Sequence, residues 1–350
     1  MDLSGTIISK NIVNDVQNAI AGYSGTDIFI LTDENSLKYC FPVIKDIPSL
    51  ENAHIITIPA GDDNKNIESS VKIWQYLSEN NATRKSLMIN LGGGMITDIG
   101  GFVASTFKRG IKYINISTTL LGAVDAATGG KTGINFLGLK NEIGAFNPAA
   151  SVLIYVDFFK TLDIENIRSG YAEMVKHALI DTQEEWESVL KFNLEDIDFE
   201  ALTPLVERSI RIKEKVVEQD PKEEHLRKAL NLGHTFAHAF ETFSYRVKRP
   251  ALHGYAVMWG LLCELYLSHL KLGFPKDELL RLKYMTKEYY GMFSFDCDGY
   301  EALYELMTHD KKNESKDINF TLLSDVGKIN INQTASKEEI FEVFDFYLMG

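Results

Sequence analysis

Residues Leu87–Asp98 read LMINLGGGMITD, and this run decides the fold. A short, mostly apolar run ending at a glycine cluster reads as a buried strand, here Ser86–Leu91. The residues that follow carry helical spacing and predict a helix over Thr97–Phe107. Gly92, Gly93 and Gly94 stand between the two. Without side chains there, the backbone can approach a ligand closely, and the N–H groups at a helix start favour a phosphate. Two readings remain open: the pyrophosphate of a dinucleotide, or a tight strand-to-helix turn. The run with Asp98 is not a GxGxxG fingerprint and does not choose between them.

Working outward, Asp27–Leu31, His54–Ile58, Lys112–Ile116 and Val152–Val156 also read as strands, and Ile67–Leu77 as an amphipathic helix. Apolar strands separated by helices imply a parallel sheet covered on both faces, with ligands at the strands' carboxyl ends. From about Ile164 the pattern turns helical: Ile164–Ile180, Phe199–Glu218, Glu224–Thr242, Tyr255–Leu270 and Lys276–Tyr289. Only Ile318–Leu323 reads clearly as a strand there. The expected fold is an α/β N-terminal Rossmann-like domain, residues 1–158, followed by a mostly α-helical C-terminal domain, residues 159–350. Without a Pro/Gly/Ser-rich linker, the two are expected to be packed rather than tethered.

The length, 350 residues, agrees with two domains. The 36 Lys+Arg against 49 Asp+Glu give a net charge of -13, which argues against a nucleic-acid binder or a protein resting on anionic lipid. Cys40, Cys263 and Cys297 form no CxxC pair, so reduced thiols in a cytoplasmic protein are expected. The N-terminus shows no signal-peptide pattern. The apolar stretch Gly254–Leu270 contains Glu264 and is short for a membrane span, which predicts a buried helix.

Gly129-Gly130-Lys131-Thr132-Gly133 ends like a P-loop, but Asp125 stands where the upstream glycine would be, which disfavours an NTPase. A glycine loop with a lysine still suits a phosphate. His234 and His238 share a helix face at i,i+4, His253 begins another helix, and Glu173 lies on a third. Two or three imidazoles with one carboxylate suit a catalytic zinc, although spacing does not say which of His234 and His238 is the ligand. His54, His225, His269 and His309 are assigned to ordinary packing or surface positions. Arg109, Lys131, Lys140, Lys176, Lys213, Arg227, Lys311 and Lys312 lie beside these segments and could gather around a small anion.

The runs GGGMITDIGGFVAS, STTLLGAVDAATGGKTGIN, KNEIGAF, GYAEMVKHALI and NLGHTFAHAFE closely resemble the 3-dehydroquinate synthase family, over about Asp27 to Gly327. The resemblance implies NAD, Zn2+ or Co2+, a homodimer, and a small anionic sugar-phosphate substrate held between the domains. By matching motifs it implies Glu173, His234 and His253 as metal ligands. It places Asp33, Asp62, Lys65, Gly92, Gly93, Gly94, Asp98, Thr118 and Thr119 at the cofactor, along with Lys131 and Lys140. Asp125, Lys131, Lys140, Asn141, Lys176, Lys213, Arg227, Asn231 and His238 match substrate positions. Arg109 matches an arginine that reaches the substrate phosphate of the partner subunit. One of Lys311 and Lys312 closes the site.

The implied activity converts 3-deoxy-D-arabino-heptulosonate 7-phosphate to 3-dehydroquinate and phosphate. Its order is NAD-dependent oxidation, β-elimination, re-reduction, ring opening and aldol closure. The sequence departs from the family at Asp62 (PAGDDNK, usually a glutamate), at Tyr255 (HGYAV, usually a glutamate) and at Thr97 (TDIGGF, usually a glycine). The alternatives are a cyclase acting on sedoheptulose 7-phosphate or glucose 6-phosphate, an NAD- and metal-dependent polyol dehydrogenase, and a non-catalytic nucleotide binder. The non-carboxylated sugars would not need Lys213, Arg227, Asn231 and His238 together.

Overall fold

The computed structural model describes residues 5–137, 139–296, 298–308 and 318–349. The chain divides into two compact units, Met1–Asp163 and Ile164–Gly350.

The first unit is built on six strands: β1 (Thr6–Ile8), β2 (Ile28–Asp33), β3 (His54–Ile58), β4 (Leu87–Gly92), β5 (Lys112–Ser117) and, later in the chain, Ser151–Ile154. Between them lie α1 (Ile12–Ile20), α2 (Glu34–Tyr39), α3 (Phe41–Ile44), α4 (Ile67–Glu79) and α5 (Gly94–Thr106). A hairpin, β6 (Lys131–Phe136) and β7 (Leu139–Phe146), precedes the last strand, which is therefore β8. The sheet order is β1-β8-β5-β4-β2-β3, and every pairing in it is parallel. Ile28 to Leu31 are all buried, as a strand covered on both faces requires. Phe29 and Leu31 face α4 and α5 through Ile73, Leu77, Ile99 and Val103.

The chain leaves β4 toward β5 on one side and leaves β2 toward β3 on the other, so the sheet's topological switch lies between β2 and β4. Ligands of such sheets bind at the carboxyl ends flanking that point. Asp33 ends β2 and Gly92 ends β4 there. Gly94 is already the first helical residue of α5, so that helix begins three residues earlier than its sequence pattern predicts. The hairpin was not expected. Most of β7 is exposed, so its polar composition hides a strand.

The second unit contains α6 (Ile164–Ile180), α7 (Gln183–Lys191), α8 (Phe199–Gln219), α9 (His234–Arg246), α10 (His253–Leu272), α11 (Lys276–Tyr289), α12 (Asp298–Thr308) and α13 (Lys337–Leu348). Helix α10 is buried nearly all round over Gly254–Leu265 and packs against α6, α9, α11 and α13. No helix among the described residues is long and apolar enough to cross a membrane. Cys40 and Cys263 are buried free thiols, whereas Cys297 lies outside the described residues.

Two expectations are corrected here. The helix predicted over Glu224–Thr242, with Asn231 inside it, is broken. A 3-10 turn, Leu226–Asn231, ends before Gly233, whose φ of +83° is left-handed, and α9 starts at His234. Glycine alone adopts that angle without strain. Among its described residues the second unit also has two strands rather than one: β9 (Asn319–Asp325) pairs antiparallel with β10 (Lys328–Thr334).

Candidate functional site

In the first unit the cluster forms around the glycine run. A Cβ on Gly93 would stand 2.8 Å from the Thr119 side chain, and one on Gly94 3.0 Å from Ala126. Any larger residue would therefore fill the space beside the start of α5. Gly93 is the N-cap and offers no side chain to the first-turn N–H groups. The amide of Thr118, buried like its neighbour Ser117, donates to the Gly92 carbonyl at 2.9 Å, tying the β5 end to the loop.

Lys65, buried, donates to Asp98 Oδ2 at 3.0 Å and to Asn141 Oδ1 at 2.7 Å, and lies 3.4 Å from Asp62. Lys140 reaches Asp62 at 3.3 Å, and Asn135 donates to both the carbonyl and the carboxylate of Asp62 at 3.1 Å. Burial pushes the Asp98 carboxyl up to about 6, against the pull of Lys65. Burial works the same way on Asp62, but Lys65 and Lys140 hold it below its ordinary value. Asp33 caps α2, accepting from the amides of Asn35 and Ser36 at 2.8 Å. Its carboxylate thus has a structural task besides any cofactor contact. Asp125 sits on a single π-helical turn, and Lys131 and Arg109 are exposed.

In the second unit, Glu173 of α6, His234 at the first position of α9 and His253 at the first position of α10 converge. One ligand atom from each lies within 4.8 Å of the others. The packing explains the convergence. A Cβ on Gly254 would stand 1.9 Å from the Ser169 carbonyl oxygen, so only glycine lets the start of α10 touch α6 one turn before Glu173. The Gly254 amide donates to Ser169 Oγ at 3.0 Å. His234 is placed by Glu264, whose buried carboxylate accepts from the amides of Gly233 at 2.7 Å and Thr235 at 3.2 Å.

Glu173 is fully buried. Its Oε1 faces Nε2 of His253 at 3.4 Å and Nε2 of His234 at 3.5 Å, while Oε2 lies against the Lys176 ammonium. Neither oxygen has a hydrogen-bond partner of good geometry among the described residues. Burial opposes the charged form, but Lys176 and the two histidines hold the carboxyl well below its ordinary range. The other ring nitrogens are engaged: Nδ1 of His234 with the Leu232 carbonyl at 3.1 Å, and Nδ1 of His253 with Glu241 Oε2 at 3.2 Å. A buried carboxylate without a well-formed hydrogen bond, its Oε1 flanked by two Nε2 atoms, fits a tetrahedral divalent metal with an open position.

His238 stands edge-on to His234, ring centroids 5.5 Å apart, beside the trio but outside the converging set. Lys176, Lys213 and Arg227 are all buried. Helix α8, which carries Lys213, packs on both α6 and the turn that carries Arg227 and Asn231. Buried cations are rare unless paired. Arg227 Nη1 donates to the Pro221 carbonyl at 2.8 Å, and Asn231 donates to Glu223 at 2.8 Å. Lys311, Lys312 and His309 lie outside the described residues. Sequence reading missed Glu241 and Glu264. Glu241 is seven residues after His234, on the same helix face, which is the signal that could have found it.

Family models described as 3-dehydroquinate synthase N-terminal and C-terminal match residues 55–169 and 170–313. A 3-dehydroquinate synthase of Parabacteroides distasonis is 52% identical over 97% of this chain and 97% of its own length. The chain belongs to the 3-dehydroquinate synthase family. A second synthase of the family, from Clostridium tetani, is 36% identical over 92% of this chain and 86% of its own length. Among solved structures, a 2-epi-5-epi-valiolone synthase of Streptomyces hygroscopicus, with NAD+ and Zn2+ bound, superposes with a TM-score of 0.87 at 22% identity, covering 98% of this chain and 96% of that one. An iron-containing alcohol dehydrogenase of Thermotoga maritima superposes at 0.68 and 13% identity, covering 99% and 98%. The synthase family thus shares its fold with sugar-phosphate cyclases and, more distantly, with alcohol dehydrogenases.

Proposed function

We propose that this chain is a lyase that converts 3-deoxy-D-arabino-heptulosonate 7-phosphate to 3-dehydroquinate and phosphate. It would serve aromatic amino-acid synthesis as a cytoplasmic homodimer. Membership of the family supports the reading, and the Glu173–His234–His253 trio carries it, because cyclisation of a polyol phosphate needs a polarised hydroxyl and ketone.

When bound, a divalent metal supplies Lewis-acid polarisation and a nicotinamide supplies reversible hydride acceptance. The trio would hold the metal. The Gly92–Gly94 turn with Thr118, Thr119, Asp98 and Lys65 would hold the dinucleotide, with Asp33 and Asp62 at its edge. The chain's own residues supply the rest. Lys176, Lys213 and Arg227 are desolvated cations, and each interaction with a substrate carboxylate or phosphate is stronger for that. Asn231 and His238 would orient the phosphate-bearing end, and His238 can carry a proton there. Asp125, Lys131, Lys140 and Asn141 would position the ring hydroxyls, and Arg109 would serve the partner subunit's substrate phosphate. Holding one conformer is what makes intramolecular closure fast.

Phosphate release from the heptulosonate phosphate, followed with and without NAD and a chelator, tests this reading. One phosphate per 3-dehydroquinate with no accumulation of NADH is expected, and loss of turnover without NAD or with chelator. Turnover confined to sedoheptulose 7-phosphate or glucose 6-phosphate, or net NADH formation, overturns it.

A further inference from the structure

We propose that Glu241 is a positioning residue for the metal site: its carboxylate fixes the tautomer and orientation of His253 and raises the basicity of the ring nitrogen that faces the metal. The inference rests on the metal reading of the Glu173 trio. Glu241 lies two turns along α9 from His234 and is buried. Its Oε2 stands 3.2 Å from Nδ1 of His253, and the opposite nitrogen, Nε2, points at Glu173 Oε1 from 3.4 Å. The imidazole is thus strung between two buried carboxylates. With Nδ1 donating its proton to Glu241, Nε2 is left with its lone pair free, as a metal ligand requires.

The two histidines are held differently. Nδ1 of His234 has a neutral partner, the Leu232 carbonyl two residues before it, supplied by the local turn. Nδ1 of His253, at the start of its helix, takes a charged partner from the neighbouring helix instead. A carboxylate donates more electron density through the ring than a carbonyl does, so Glu241 makes His253 the stronger donor of the pair. The loop between α9 and α10 is tied separately: Ser244 Oγ donates to the Glu241 carbonyl at 2.6 Å and accepts from the Ala251 amide at 3.1 Å. Those bonds use main chain and Ser244, so substitution of the Glu241 side chain leaves them in place.

The test is zinc affinity by chelator competition, together with the visible spectrum of the cobalt-loaded protein, for the parent, E241Q and E241L. The zinc dissociation constant is expected to rise several-fold in E241Q, which keeps an acceptor without the charge, and about 10–100-fold in E241L. The cobalt bands should shift in E241L, and the circular dichroism spectrum of metal-free E241Q should match the parent's. Zinc binding by E241Q within twofold of the parent overturns the proposal, and this holds even if E241L does not fold. A parent that binds no zinc stoichiometrically would instead sink the metal reading itself.

Discussion

The charge cluster around Lys65 and the trio around Glu173 each centre on a buried charge, yet they are finished to different degrees. Lys65 has Asp98, Asp62 and Asn141 as partners, and Asp62 has Lys140 and Asn135 besides. Each charge there meets an opposite charge or a hydrogen bond. Among the described residues Glu173 has Lys176 on one oxygen and two imidazole nitrogens on the other, neither forming a good hydrogen bond. The first cluster is complete without its ligand, so a ligand must add to it. In the second, a carboxylate oxygen and two ring nitrogens face one another without a good hydrogen bond among the described residues, so a metal would complete it. That difference predicts where a single substitution does most damage.

The largest effect belongs to Glu173→Gln. It removes the only carboxylate of the trio and leaves Lys176, 2% exposed, without its counter-charge. Metal catalysis supplies several kcal/mol, so turnover should fall by about 1000-fold or more. Breaking a buried ion pair costs roughly 3–5 kcal/mol of stability. Zinc content should drop from one per chain to near zero, measured together with a circular dichroism spectrum that retains its helical signal. Retention of stoichiometric zinc would equate the two clusters and remove the contrast.

Asp98→Asn sharpens it in the first unit. The folded carboxyl titrates at about 6 against an ordinary 3.8, because burial disfavours its charge. Between those values the folded chain holds a proton that the unfolded chain has released. This group's contribution to stability therefore falls as pH rises from about 4 to about 6, by up to about 3 kcal/mol. Asparagine cannot titrate, so the variant should gain on the parent by about 2 kcal/mol between pH 4.5 and 7. Urea unfolding of nucleotide-free protein at the two pH values reads this directly, and parallel changes in parent and variant would contradict it. Lys65 keeps Asn141 and Asp62, so the variant should fold.

What the sequence discloses follows the same divide between local and distant causes. Helix α6 is legible to the residue, Ile164–Ile180, because its helical spacing of apolar residues runs on through Gly170 without a break. The apolar strands are legible within a residue or two for the same reason. The break before His234 is not. HTFAHAF keeps helical spacing, and the glycine that breaks the helix adopts its left-handed angle only where Glu264, thirty-one residues on, collects the Gly233 amide. His234 and His238 differ by one turn of one helix, and only the positions of α6 and α10 make the first the ligand candidate. Local pattern writes the elements, while the tertiary approach of Gly254 to Ser169 writes the site.

Tyr255 gives the smallest effect and the finest test. It occupies a position where the family resemblance leads one to expect a glutamate, two residues from His253, and a reader of the sequence could suspect the metal site. Its ring instead meets Tyr290 edge-on at 5.1 Å and Trp259 at 6.3 Å. Tyr290 in turn donates to the Arg168 carbonyl at 2.9 Å, and Trp259 to the Gly291 carbonyl at 2.8 Å. The side chain therefore belongs to an aromatic wall joining α10 to the end of α11 and the start of α6. Aromatic pairs contribute about 0.5–1.5 kcal/mol each beyond burial, so Tyr255→Leu should lower stability by about 1–2 kcal/mol. Zinc affinity and turnover should stay within about threefold, because the Ser169–Gly254 contact, which sets His253 against Glu173, does not involve the ring. A tenfold loss of zinc affinity with stability unchanged would mean that the wall, not the glycine contact, places His253.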